Sequence, residues 1–256
     1  MRKLTKSQQE RAEQLRKRRI RRIKKREELY ESGGVEIELS SFFKGLAGNY
    51  QSVGILEVTA GDIAAAQDAF KTAVAYYHRS AEAHKFPVMS TNTLADGIYT
   101  AALAGLNTDV IEFADAVRQI HREHSLSPDD DNADRFFFAG CLAGALVDDL
   151  SDTDLDNLEA INETKPEPHS HYGDAIYACS QGIRDANTRL IERGIESMLT
   201  FHQQDIGESG VVGLTMSVQA TALFVLARGK GYDPDISSPY IPGQLVEAAS
   251  DGFDLT

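Results

Sequence analysis

GVVGLTMSVQATALFVLARGKGYDPDISSPYIPGQLVEA, residues 210–248, is the stretch whose reading decides the fold. From Leu214 to Ala227 it runs almost without charge, and Leu214, Val218, Thr221, Ala222, Val225 and Leu226 recur at three- and four-residue steps. That period predicts a helix buried on most of its circumference, at the centre of a bundle. Gly229 and Gly231 supply left-handed positions that end a helix, and Pro234, Pro239 and Pro242 cannot continue it. The chain is therefore expected to turn and lie extended across the end of the bundle, with Tyr240 and Ile241 as apolar anchors.

The same periodicity extends outward from this stretch. Upstream, Thr188 to Gln204 and Tyr172 to Arg184 read as amphipathic helices with Ile176, Ile183, Ile191, Ile195 and Leu199 inward. Asp152 to Ile161 is a short acidic helix, closed by Lys165-Pro166-Glu167-Pro168, and Arg135 to Leu150 a deeply buried one with Phe136, Phe137, Cys141 and Leu142. Before the polar loop Ser125 to Asn132, Thr108 is placed as the cap of a helix whose Val110, Phe113, Ala114, Val117 and Ile120 face inward. Thr93 to Leu106 is rich in Ala and Gly, and Phe86-Pro87 is expected to break the chain ahead of it. Asp62 is a good N-cap for a helix running to His84, and a first helix lies within Val35 to Val58. No run of period-two alternation exceeds a few residues, and connections are short. The fold class is all-α: a layered bundle of antiparallel helical hairpins with an extended Pro-containing C-terminal crossing.

The chain has 256 residues, enough for one helical domain that buries roughly 70% of its unfolded surface. Charge divides it sharply. Residues 1–32 carry thirteen Lys/Arg against five Glu, and the remainder thirteen Lys/Arg against thirty-four Asp/Glu. The basic block has only a broken apolar stripe at Leu15, Ile20, Ile23 and Tyr30, so 1–34 reads as a partly helical or disordered arm, set off by Ser32-Gly33-Gly34 from a single helical domain, 35–256. The acidic body repels nucleic acid and anionic membrane and attracts basic partners, or else serves hydration in a halophile's salty cytoplasm. No apolar run reaches a membrane span and none follows the basic N-terminus, so a cytoplasmic location without membrane attachment is expected. Cys141 and Cys179 match no metal or redox spacing and read as small core residues.

A search for chemistry returns little. His121 and His124 sit near a helix end and His169 and His171 flank Ser170 in an expected loop, yet nothing in their spacing demands a metal. Asp129-Asp130-Asp131 lacks the mid-loop Gly and the twelfth-position Glu of a calcium loop. There is no phosphate-cradling loop, nucleophile elbow or dinucleotide fingerprint. Catalytic, cofactor and metal residues are therefore not assigned.

GIESMLTFH at 194–202, then Ala222-Leu223, Leu226-Ala227, Gly231-Tyr232 and SPYIP at 238–242 with Leu245 beyond, resembles the C-terminal signature of the immunity protein 49 family. The alanine-rich Leu94 to Leu106 with Asp109 is similar to that family's middle helix. The matches span about a third of the chain; the family's tryptophans are missing, and the basic arm has no counterpart. The resemblance implies an all-helical, non-enzymatic protein of a bacterial polymorphic toxin system that binds and neutralises a cognate toxin. His202, Gly231, Ser238, Tyr240, Pro242 and Leu245 are the motif positions, and a set made of Gly, Pro, Ser and Tyr is the grammar of a turn. A basic toxin would meet exposed acids, which the chain concentrates at Asp129, Asp130, Asp131, Asp134, Asp148, Asp149, Asp152, Asp154, Asp156 and Glu159. The rival expectation is a helical scaffold or regulator that engages nucleic acid or an acidic partner through its basic arm.

Overall fold

The computed structural model describes residues 4–205 and 210–256. Residues 1–3 of the basic segment, and 206–209 in the gap after His202, lie outside the described residues. The described residues form helices and no strand. In order these are α1 (Lys6–Glu31), α2 (Leu39–Ala60), α3 (Ile63–Glu82), α4 (Pro87–Ala104), α5 (Asn107–Glu123), α6 (Ala133–Leu146), α7 (Asp152–Asn162), α8 (His169–Arg184), α9 (Thr188–Asp205), α10 (Val211–Thr215), α11 (Val218–Gly229) and α12 (Gly243–Ser250). Successive helices pack as hairpins: α2 on α3, α3 on α4, α4 on α5, and α8 on α9. None of them is long and apolar enough to cross a membrane.

Local chemistry explains the boundaries. The Asp62 carboxylate accepts the Ala65 N–H at 3.0 Å and starts α3, one residue after Gly61 ends α2 in the left-handed region at φ 82°. Ser151 and Asp154 form a reciprocal capping box at the head of α7. Several ends differ from the sequence reading. Phe86-Pro87 does separate α3 from α4, but α4 begins at Pro87 itself and not at Thr93, since the missing N–H falls where a helix has no acceptor to offer. Thr108 lies inside α5, whose cap residue is Leu106. The buried C-terminal helix begins at Val218, not Leu214, because Met216 is extended and the Ser217 N–H turns aside to donate to the Tyr240 carbonyl at 3.0 Å.

The hub is α4, not the C-terminal helix. It packs against α3, α5, α6, α11 and α12, and most of its residues are buried. Its small side chains make this feasible: a Cβ on Gly97 would stand 2.7 Å from the Phe113 ring of α5, so only glycine admits that approach. Phe70, Ile98, Tyr99, Leu103, Phe113, Leu142 and Ile176 are almost wholly buried in the one large core around it. Cys141 and Cys179 belong to the same core as free thiols.

The basic segment also differs from the expected arm. It is one long helix, α1, laid along α2 and touching α10. Ile23 packs with Phe42, Phe43 and Leu46, and Ala12 with Leu56 and Val211. Its inward arginines find partners: Arg16 bonds the buried Glu57 carboxylate, and Arg19 the Asn49 side chain at 2.8 Å. Glu27 accepts from both Tyr50 and Tyr76 hydroxyls at 2.8 Å. The sparse apolar stripe understated this face because polar inward residues, paired with polar residues of α2 and α3, do as much of the docking as Ile23 and Ala12.

Candidate functional site

Of the separated motif positions, His202, Ser238 and Tyr240 meet at one place. His202, in the last turn of α9, donates from Nε2 to the Gly213 carbonyl at 2.9 Å, and its ring stands edge-on to Tyr240 with centroids 5.1 Å apart. Burial pushes its pKa down, against the opposing pull of the Gly213 hydrogen bond. The Ser238 hydroxyl accepts the Tyr240 N–H at 3.2 Å, and the Tyr240 carbonyl accepts the Ser217 N–H that would otherwise continue a helix. Pro242 starts α12 by accepting from Leu245 and Val246, and Leu245 is fully buried. Gly231 turns the chain at φ 83°. Gly229 stays helical, and its missing Cβ leaves room for the Phe253 ring, which a methyl would meet at 2.6 Å. Tyr240 itself is half-buried, so the crossing is pinned by its backbone as much as by its ring.

The ten acidic positions do not form one surface of open charge. Asp148 pairs with Lys230 at 2.9 Å, Asp152 with Arg184 at 2.7 Å, and Asp134 with Lys165 at 2.9 Å. Arg118, whose side chain is only 8% exposed, takes Asp149 at 3.0 Å and Asp154 at 3.3 Å. Burial alone would raise the Asp154 carboxyl, but hydrogen bonds from Ser151 and the Arg118 charge hold it below its ordinary value. These five acids fasten α5, α6, α7, α8 and the end of α11 to one another. Asp129, Asp130 and Asp131 are exposed in the loop before α6, where Asp130 accepts the Ser127 N–H at 2.7 Å. Asp156 and Glu159 are exposed on α7. Glu159, with Glu163 and Asp174, borders a depression of about 470 Å³ between α7, α8 and α9, which also holds Lys165 and Arg193. Sequence spacing could not separate the two groups, because each partner arginine or lysine lies some 30 or 80 residues away in the chain.

A second concavity escaped the sequence reading altogether. A cleft of about 610 Å³ opens where α4, α6, α8, α9 and α11 converge. Asp96 of α4 stands in its wall, bonded to Lys44 at 3.0 Å, and burial raises its carboxyl pKa against the Lys44 charge. The Tyr99 and Tyr172 hydroxyls meet at 3.0 Å, and burial pushes Tyr172 up to about 12. Phe138 and Phe201 flank Tyr172 at 5.2 and 5.3 Å. A wet carboxylate beside an aromatic wall suits an amphipathic side chain or small molecule. The Tyr99 and Tyr172 hydroxyls that line it bond to each other. Asp96 and Tyr99 lie one helical turn apart on α4, but their Ala-rich surroundings read as plain packing.

The four imidazoles considered from sequence serve separate ends. His121 stacks flat on Phe136 at 3.7 Å and donates from Nε2 to that residue's carbonyl at 2.8 Å. His124 caps α5, while His169 and His171 fall in the first turn of α8 and not in a loop. The chain matches no protein-family model, no curated protein and no solved structure.

Proposed function

We propose that this chain is a non-enzymatic immunity protein, akin to the immunity protein 49 family, that binds and neutralises a cognate toxin. What carries the reading is one contact between stretches quoted for the resemblance: His202 of 194–202 packs edge-on against Tyr240 of 238–242, some forty residues later in sequence. A motif with a common structural purpose is better grounds for resemblance than the same residues scattered would be. The body's excess of acid supports a basic partner. The partner surface is assigned to the exposed rim of α7, namely Asp156, Glu159 and Glu163, the last two bordering the 470 Å³ depression, because Asp134, Asp148, Asp149, Asp152 and Asp154 are engaged in ion pairs within the chain.

Co-expression with a toxin encoded beside the gene tests this. Protection, with a stoichiometric complex that forms more slowly and with less salt dependence in D156N/E159Q/E163Q, is the expected result. A neighbouring product that neither poisons cells nor binds this chain removes the immunity reading.

One observation favours a second reading, a helical scaffold that engages nucleic acid. Arg11, Arg18, Arg21, Arg22 and Lys25 all face solvent on α1, opposite the row that docks the helix. Binding to a nucleic-acid duplex that falls steeply with salt and vanishes when these five are neutralised is its signature.

A further inference from the structure

Both α3 and α5 pack against α4, and between them they bring together three side chains that no motif had joined. His78 of α3 directs Nε2 at Asp109 Oδ1, 3.0 Å away, and at Glu112 Oε2, 4.0 Å away. Asp109 and Glu112 are three residues apart on α5, hence on one face of that helix. One donor atom from each residue lies within 4.8 Å of the other two. The imidazole is held from behind: it stacks on Phe113 with centroids 4.0 Å apart, and Phe113 is itself 1% exposed, lodged over Gly97 of α4. The ring therefore keeps its orientation without help from solvent-exposed neighbours.

A second observation points the same way. His78 and Glu112 open on a depression of about 370 Å³ whose lining also includes Glu82 and Glu123 and, among the described residues, no lysine or arginine. Elsewhere in this protein clustered acids were seen to recruit arginine or lysine, as Asp149 and Asp154 do at Arg118. Here three glutamates share a concavity that, among the described residues, has one imidazole as its basic lining group, with Asp109 bonded to that imidazole. An imidazole with two carboxylates is a ligand set in want of a cation.

We propose that His78, Asp109 and Glu112 form a binding site for a divalent transition-metal ion, with water completing the coordination. The distances suit it. Neighbouring ligands on an ion bound at about 2.0–2.2 Å lie about 2.9–3.5 Å apart, and the His78–Asp109 separation of 3.0 Å already falls in that range. Glu112 must swing inward by about 1 Å, which its side chain, 62% exposed, can do by rotamer change. An imidazole among the ligands favours zinc, cobalt or nickel over calcium or magnesium, which prefer oxygen alone. A bound ion would clip α3 to α5 across the flank of α4 and stabilise the fold by mass action. The site is remote from the toxin reading in its logic and stands or falls without it.

The test uses the full chain stripped with a chelator, with Co²⁺ as the spectroscopic probe and Zn²⁺ in thermal melts. One equivalent of Co²⁺ is expected to bind with d–d absorption bands, and Zn²⁺ to raise the melting midpoint. His78→Gln and Glu112→Gln should each weaken binding at least about tenfold, while His121→Gln leaves it unchanged. Glu112 is exposed enough that its variant folds, and melts in chelator check both. Absence of saturable binding, or binding by the His78 and Glu112 variants equal to the parent's, overturns the site and leaves His78–Asp109 a hydrogen-bonded pair only.

Discussion

His121 makes a sharp test of the packing between α5 and α6. Its ring lies between Phe136 and the backbone of Gly140, where an added Cβ would come within 2.0 Å of Cε1. Burial pushes its pKa from an ordinary 6.5 down to about 4; the Phe136 carbonyl opposes that shift, and the nearby Arg118 charge adds to it. The unfolded chain therefore takes up a proton at a pH where the folded chain still refuses it. Stability from this group is fully present above about pH 6.5 and is lost as pH falls toward 4. A depression of about 2.5 units makes the whole loss about 3 kcal/mol, of which about 2 kcal/mol should be gone between pH 7.5 and pH 5. Urea denaturation at the two pH values measures it. His202 and His84, also lowered by burial, slope the same way, and Asp96, raised by burial, slopes oppositely. The informative quantity is thus the difference between the protein and His121→Gln, which can keep a donor toward the Phe136 carbonyl but does not titrate. Equal pH slopes in the two proteins, or an NMR titration midpoint for His121 near 6.5, would refute the burial argument.

Removing residues 1–34 uncovers the Ile23–Phe42–Phe43 cluster and leaves the buried Glu57 without Arg16, so the melting midpoint by circular dichroism should drop by about 5–10 °C; an unchanged midpoint would make α1 a dispensable arm. Tyr240→Ala should cost about 1–2 kcal/mol, less than a fully buried ring, because the side chain is half-buried against His202 while its backbone bonds survive. A loss above about 3 kcal/mol in denaturant would show the ring to be the anchor. Neutralising Asp148, Asp149 and Asp152 together should destabilise the fold by about 1–2 kcal/mol, since the three acids are largely exposed and Arg118 keeps Asp154. The exposed set Asp156, Glu159 and Glu163 should melt within about 0.5 kcal/mol of the parent.

The helical class, most helix faces and the Pro-containing crossing were legible in residue order because each rests on neighbours within one or two turns. Asp62 caps, Gly61 and Gly231 reverse the chain, and Val110, Phe113, Ala114 and Val117 share a face through a period the chain itself carries. Partnership is different, for it depends on residues distant in sequence. Whether Asp149 is a docking charge or a fastener turns on Arg118, 31 residues earlier, and whether the basic segment is an arm or a packed helix turns on Glu57 and Tyr76. The Asp96 cleft needs five helices to exist, and the His78 trio needs α3 and α5 to settle on the same side of α4. Local sequence determined the helices and their ends through hydrogen bonds that close within four residues. Only tertiary packing decided which charges are paired within the fold and which stay exposed, because desolvation and pairing belong to the assembled interior.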